Sequence, residues 1–369
     1  MNKWKRGKLR DHVRFCNGRI YPRGSGDIPV YGGNGILAHT KCSLYDKCLI
    51  IGRVGANCGS VHVSVCNCWV SDNAIAAIPD ETCDLLYMYY QVLSLNLNRL
   101  HIGSGQPLMT QGILAGLSVM YPPLSEQHAI AAVLSALDSK IEHNKRMIDR
   151  LEKQAQLLYD YWFLQFDFPD ESGRPYRSSG GKMVWNETLK REIPAGWKVK
   201  KLSNLIETLK TGKLDANAAE KDGKYPFFTC SAEPMRINSF SYDGDVIILS
   251  GNGEFYLFDY NGRFDVYQRN YVIRPKKGVC KQYLYQEIAR NIRLLKSQAQ
   301  GSIIKFLTKG MIEKIPVFDL DWKSHRVLEE VLRNLFARCS CLKKEIEVLT
   351  AQRDYLLPLL MTGQVRVEA

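Results

Sequence analysis

The sequence predicts a mixed α/β protein built as a tandem repeat. Two α/β lobes are each followed by a long helix, and the helices pair as an antiparallel coiled coil. Three observations predict this. From Ser125 to Trp162, one apolar series runs Ile130, Leu137, Asn144, Leu151, Leu158 and a second runs Leu134, Ile141, Ile148, Ala155, Trp162. Alternating steps of four and three residues make one narrow stripe on a helix, the seam of a coiled coil. The same pattern returns 198 residues later as Leu328, Leu335, Leu342, Leu349, Leu356 with Leu332, Cys339, Ile346, Arg353, Leu360. Finally, the segments that precede the two helices match each other in order.

Trp4-Lys5-Arg6-Gly7-Lys8-Leu9 opens the first lobe, and Trp197-Lys198-Val199-Lys200-Lys201-Leu202 opens the second. Ile28-Pro29-Val30-Tyr31 then corresponds to Tyr225-Pro226-Phe227-Phe228, an extended segment. Tyr45-Asp46-Lys47-Cys48-Leu49-Ile50-Ile51 lines up with Tyr242-Asp243-Gly244-Asp245-Val246-Ile247-Ile248, each a turn followed by a buried strand. Glycine-rich loops follow at 52–59 and 250–255. Strands are expected near Val61–Val65 and Asn73–Ile78, and near Val266 and Tyr271–Arg274. A helix near Cys83–Leu97 matches one near Lys281–Lys296. The final approach to each long helix aligns Gly103, Thr110, Gly112 and Val119 with Gly301, Thr308, Gly310 and Val317.

Ser125 is placed to cap the first long helix and Glu126 to face its positive end. Pro358 is expected to end or bend the second, because proline disfavours the helical region in the residue before it. Asn144 and Arg353, polar within the seam, would fix register at a cost in stability. Residues 166–196 are rich in Gly, Pro, Ser and charge and read as a linker. The expected organisation is therefore a first lobe at 1–124, a helix at 125–165, the linker at 166–196, a second lobe at 197–322, and a helix with tail at 323–369. Tyr159, Tyr161, Trp162 and Phe163 crowd one helix end with more apolar surface than a two-helix seam needs. They are expected to pack against the linker or a partner subunit.

The chain has 369 residues and is 45% hydrophobic, enough for more than one packed core. Its net charge of +12 sits in the lobes. Residues 1–124 carry 12 Lys and Arg against 7 Asp and Glu, and residues 185–320 carry 22 against 15. The helical stretch 125–165 has 5 against 6, and 321–369 has 8 against 7. Two basic lobes joined by near-neutral helices point to a polyanion, most simply DNA or RNA. The start of the chain has charge but no following apolar run, and no stretch approaches a membrane span, so a cytoplasmic protein with no membrane partner is expected. Eleven cysteines form no C-x-x-C pair, and Cys66/Cys68 and Cys339/Cys341 have poor zinc-ligand spacing. No metal site is expected, and the thiols read as reduced and mostly buried.

Several local patterns carry a family resemblance. Gly103-x-x-Gln106 leads to Met120-Tyr121-Pro122-Pro123-Leu124-x-Glu126-Gln127 before the first helix. The linker holds Gly180-Gly181-Lys182-Met183-Val184-Trp185 and Ile193-Pro194-x-Gly196-Trp197, and the chain closes with Leu359-Leu360-Met361-Thr362-Gly363-Gln364-Val365. With the lobe–helix–lobe–helix order, these make the chain resemble the specificity subunits of type I restriction–modification systems over essentially its full length. The resemblance implies two target-recognition domains, each reading half of a bipartite double-stranded DNA site. It also implies helices that set the spacer and dock modification (methyltransferase) subunits, with restriction (translocase/endonuclease) subunits joining the assembly. No cofactor belongs to this chain in that scheme; S-adenosylmethionine, ATP and Mg would sit in the partners. The second copy departs from the first where Leu320-Asp321-x-x-Ser324-His325 replaces Pro122-Pro123-x-x-Glu126-Gln127, and where Ser250-Gly251-Asn252-Gly253 replaces Gly52-Arg53-Val54-Gly55.

The residues themselves argue against an enzyme. Tyr121-Pro122-Pro123-Leu124 lacks the polar first residue and aromatic last residue of an adenine methyltransferase tetrad. Gly251-x-Gly253 and Gly103-x-Gly105 lack the third glycine of a dinucleotide loop, and no G-x-x-x-x-G-K-[ST] occurs. For DNA contact, Arg53 lies two residues before Gly55 and next to Gly52, and could pair with a guanine edge or a phosphate. Its alternative is a salt-bridged surface arginine. Lys41 and Gln106 are further candidates in the first lobe. Lys210, Lys213, Arg236, Arg263, Lys305, Thr308 and Lys309 are candidates in the second. Most such contacts reach only the DNA backbone. A non-catalytic RNA-binding or assembly adaptor is the alternative function, and a free-standing methyltransferase or nuclease ranks behind it.

Overall fold

The computed structural model describes residues 4–103, 107–298 and 306–367. It divides into two compact units: residues 1–145 with 343–369, and residues 146–342. Among the described residues, the six α-helices are α1 (Leu85–Ser94), α2 (Gln111–Gly116), α3 (Leu124–Asp160), α4 (Lys281–Gln298), α5 (Lys309–Glu313) and α6 (Arg326–Met361). Among the described residues, no helix is long and apolar enough to cross a membrane.

The first unit centres on a four-stranded antiparallel sheet in the order Val13–Asn17, Ala74–Pro79, Cys48–Gly52, Val61–Ser64. Alternation sorts its side chains. Leu49 and Ile51 face a core shared with α1, α3 and the end of α6, whereas Cys48 and Ile50 face a smaller core of Cys68, Val70, Ala74 and Ala76. Trp69–Val70 pairs in parallel with Ile28–Gly32, which pairs in turn with Gly35–Thr40. Lys5–Lys8 pairs with Ser118–Tyr121 and leads the chain into α3.

The second unit repeats this plan with one difference. Its sheet has six strands in the order Ile206–Thr211, Asn270–Pro275, Tyr242–Ser250, Leu257–Val266, Tyr225–Phe228, Met235–Ile237. Leu257–Val266 is one continuous strand, antiparallel to Tyr242–Ser250 and parallel to Tyr225–Phe228. In the first unit, residues 65–68 interrupt the equivalent strand, so one sheet becomes two. Phe228, Phe264 and Val266 fill the core that small residues fill in the first unit.

The long helices run antiparallel in an α/β tandem repeat. In the first unit, Arg353 Nη1 meets Asp138 Oδ1 at 2.9 Å and Lys140 pairs with Glu345 at 3.3 Å, so α6 descends as α3 rises. In the second unit, Ala155, Tyr159 and Trp162 share a core with Leu328 and Leu332. At 1.5 Å per residue, the 37 residues of α3 span roughly 55 Å. Among the seam positions, Ile130, Leu134, Ile141, Ile148, Leu328 and Leu332 are buried, while Leu137, Leu151, Leu335, Ile346 and Leu349 are half-buried. Arg353 also bonds Asp354, and Tyr90 donates to the second oxygen of Asp138, tying α1 to both long helices. Asn144 is 1% exposed, and neither of its amide atoms has a hydrogen-bond partner among the described residues.

Two local expectations are corrected. Helix α3 starts at Leu124, so Ser125 lies inside the first turn instead of capping it, and Glu126 accepts from the Trp4 indole at 2.9 Å. Helix α6 continues through Pro358 to Met361, because proline near a helix end forfeits only one late backbone bond. The linker composition also conceals a folded segment. Tyr161–Gln165 turns as a π-helix and Phe166 takes a left-handed φ of 62°. Phe168 then stacks on Tyr176 at 4.8 Å and on Trp197 at 5.0 Å. Met183–Asn186 and Arg191–Pro194 form a hairpin, from which Arg191 covers the Phe166 ring at 4.8 Å. The aromatic end of α3 packs onto this segment and onto Tyr283 and Phe318 of the second lobe.

Candidate nucleic-acid interface

Four loop segments meet at one end of the sheet in each unit, and the same backbone bonds join them twice. In the first unit they are residues 17–19, 52–55, 71–73 and 107–109. Gly18 N–H donates to Ala74 O at 3.1 Å, Arg53 N–H to Asn73 O at 3.0 Å, and Met109 N–H to Arg53 O at 2.8 Å. In the second unit they are residues 212–214, 251–253, 267–269 and 306–308. Gly212 N–H donates to Asn270 O at 3.3 Å, Gly251 N–H to Arg269 O at 2.9 Å, and Leu307 N–H to Gly251 O at 2.7 Å. The bridges Val54–Leu108 and Asn252–Phe306 repeat as well.

Two glycines make the close approach feasible. A Cβ on Gly18 would lie 1.9 Å from Ser71 O, and one on Gly212 would lie 1.9 Å from Val266 O. Both contacts exclude any side chain, so the first loop can press on the third only through glycine. Thr110 and Thr308 close the fourth segment as caps of α2 and α5, accepting from Ile113 and Met311 N–H at 3.2 and 3.3 Å. In the second unit, buried Asn270 donates to Phe228 O and Thr229 O at 2.9 and 3.0 Å and accepts from Cys230 at 3.1 Å. Burial pushes the Cys230 thiol up, and the nearby Arg269 charge acts in the opposite direction. The rim is thus hydrogen-bonded backbone carrying exposed Arg19, Lys213, Arg269 and Thr308 and half-buried Arg53.

Arg53, Lys213 and Thr308 lie on these rims. Lys210 lies on the strand that leads into one, and Lys309 opens α5, paired with Glu313 at 3.7 Å. Among the described residues, no carboxylate or carbonyl pairs with the Arg53 guanidinium, and Lys210 and Lys213 have no ion pair. Lys41 is exposed just beyond Gly35–Thr40, away from the four segments. Arg236 is tied to the carbonyls of Gly223 and Lys224 at 3.0 and 3.1 Å. Arg263 pairs with Asp243 at 3.3 Å and covers Phe240 at 4.9 Å. Gln106 and Lys305 lie outside the described residues. Sequence reasoning missed Arg19 and Arg269, both exposed on the rims.

One cluster has the composition of a metal site. His12, Asp80 and Cys83 bring ligand atoms within 4.8 Å of one another. However, His12 Nδ1 already bonds Asp80 at 3.1 Å and Thr82 Oγ1 at 2.9 Å. Burial pushes the Cys83 thiol up to about 11, which keeps the proton on a sulfur that would need to lose it to bind metal. The cluster is a hydrogen-bond network that joins Val13–Asn17 to the start of α1.

Comparison with known proteins places this architecture. Residues 1–153 and 194–318 match the family model described as the type I restriction modification DNA specificity domain. The chain is 37% identical over 181 residues to the type I restriction enzyme EcoDI specificity subunit of Escherichia coli, covering 48% of this chain and 40% of that one. It is 26% identical over 325 residues to the MjaIX specificity subunit of Methanocaldococcus jannaschii, covering 79% of this chain and 71% of that one. The fold matches a crystal structure of a type I restriction–modification S subunit from M. genitalium, with a TM-score of 0.67 and 18% identity across 97% of this chain and 96% of the other. The two repeated sheets and the paired helices, with a family match over most of the sequence, mean that the chain belongs to the type I restriction–modification DNA specificity family.

Proposed function

We propose that this chain is the DNA-recognition subunit of a type I restriction–modification complex. In this reading, each rim docks on one half of a bipartite double-stranded site. The paired helices hold the half-site readers at a fixed separation and carry the modification subunits, to which restriction subunits add. The chain itself is non-catalytic. S-adenosylmethionine, ATP and Mg belong to the partners, where a methyltransferase flips and modifies the adenine. The complex would work in the cytoplasm.

The observation that carries the reading is the doubled rim. The same hydrogen-bonded loop arrangement is made twice, with different side chains on each copy. That is what a reader of two unlike half-sites needs. Arg53, Lys210, Lys213 and Thr308 are the first contacts in this proposal; Lys41 and Lys309 are weaker candidates, and Gln106 and Lys305 are candidates that lie outside the described residues. Arg236 and Arg263 add positive field while their guanidinium groups brace the second sheet. The lobes divide the recognition domains near residues 124 and 197.

Selection from a random duplex library by the chain reconstituted with its modification subunit tests this. Two short consensus blocks at fixed spacing are expected. Equal retention of all duplexes, or preferential retention of RNA, would favour the adaptor alternative instead.

A further inference from the structure

The second lobe has no arginine where the first has Arg53. Gly251 stands there, and a Cβ on it would lie 2.1 Å from Arg269 O. No side chain fits at that position, so a guanidinium on this rim has to come from elsewhere. The carbonyl that crowds Gly251 belongs to an arginine. Arg53 N–H donates to Asn73 O in the first unit, and Gly251 N–H donates to Arg269 O in the second. These are the same bond in the two repeats. The first repeat places arginine on the donor arm and an amide, Asn73, on the acceptor arm. The second places glycine on the donor arm and arginine on the acceptor arm.

Among the described residues, neither arginine's guanidinium has an ion pair, although the Arg269 charge acts on the nearby Cys230 thiol. Neither pairs with a carbonyl among those residues, and exposed Asp72 beside Asn73 is not bonded to Arg53. The other arginines of the second sheet are occupied. Arg236 binds two carbonyls, Arg263 binds Asp243, and Arg274 donates to Asp243 O at 2.8 Å. The backbone beneath Arg269 is fixed, because buried Asn270 next to it makes three side-chain bonds. A planar fork on a hydrogen-bonded turn has the geometry for bidentate pairing with guanine O6 and N7.

We propose that Arg269 is the base-reading guanidinium of the second lobe, the counterpart of Arg53, and that each half-site therefore contains a guanine read by one of them. This rests on the DNA-recognition reading above. It adds a specificity residue to the second lobe and a constraint on both half-sites.

The test uses the full chain in complex with its modification subunit. Adenine methylation rates are measured on the preferred duplex and on duplexes changed at each position, for wild type, Arg53→Ala, Arg269→Ala and Arg269→Lys. Arg269→Ala is expected to lose about 5- to 150-fold discrimination at one G·C pair of one half-site and to leave the other half-site unchanged. Arg53→Ala should do the reverse. Arg269→Lys should regain rate on all duplexes without regaining that discrimination. A uniform rate loss with unaltered preferences would overturn the proposal and make Arg269 a phosphate contact, as would full discrimination by Arg269→Ala. A wild-type complex that is active yet prefers no duplex would overturn the recognition reading itself.

Discussion

The two units solve the same packing problem with different chemistry. Where the first lobe meets α3, Gln127 is a polar latch. Its amide donates to Pro122 O at 2.9 Å and Thr82 O at 3.3 Å, and its carbonyl accepts from Asp84 N–H at 2.8 Å. The equivalent residue of the second unit, His325, lies among the rings of Trp197, Phe168 and Trp322. Burial lowers the pKa of the His325 imidazole from its ordinary value, against the opposing charge of Asp321. Beneath each latch a tyrosine holds a buried partner one turn along its helix. Tyr87 donates to Gln91 at 3.0 Å, and Tyr283 donates to Glu287 at 2.9 Å. One topology therefore tolerates a hydrogen-bonded joint or an aromatic one.

The comparison breaks most visibly at Phe163. It is fully buried among Tyr159, Tyr283, Trp197 and Phe318, whereas Met361 occupies the same step of α6 in the first unit. Phe163→Ala should cost about 3–5 kcal/mol, read as a lower denaturant midpoint. A cost below about 1 kcal/mol would show that the aromatic joint is not structural.

Glu287 sharpens the contrast through pH. Burial raises its carboxyl from 4.5 to about 7. The folded chain thus holds this proton more tightly than the unfolded chain. The resulting stability is complete below about pH 4.5 and is lost as pH rises to about 7. Glu287→Gln, which copies Gln91, should remove roughly 3 kcal/mol of that pH dependence. Thermal melts at intervals between pH 5 and 8 check this; identical slopes in wild type and variant would count against it.

Gln127→Ala should cost about 1–3 kcal/mol, because Asp84 N–H loses its acceptor within the joint. The smallest effect has the opposite sign. Asn144 occupies the seam position that Leu342 fills in the second unit, and its amide is buried without partners among the described residues. Asn144→Leu should raise stability by about 1 kcal/mol. A loss of stability instead would indicate that the amide is needed in the seam.

Much of this architecture was legible because duplication leaves patterns that periodicity exposes. The heptads, the repeat order and the buried strands all follow from spacing. The folded linker was not legible, since its order comes from Phe166, Phe168 and Tyr176 meeting Trp197, not from local propensity. The break at residues 65–68 was also hidden, because Val61–Val65 reads as the same strand with or without it. At the candidate site, Arg53 stood out beside its glycines. Arg269 did not, because its equivalence to Asn73 rests on a cross-strand bond, and the repeats are offset by 198 residues at Arg53 and Gly251 but by 196 at Asn73 and Arg269.

The central claim is that the two rims, one in each unit, select DNA. Mapping methylated adenines across a methylation-free bacterial genome, with this chain expressed beside its modification subunit, tests it most directly. The account predicts one motif of two specific blocks separated by an unspecified spacer of constant length. A single continuous motif, or methylation without any motif from an intact active complex, would contradict it.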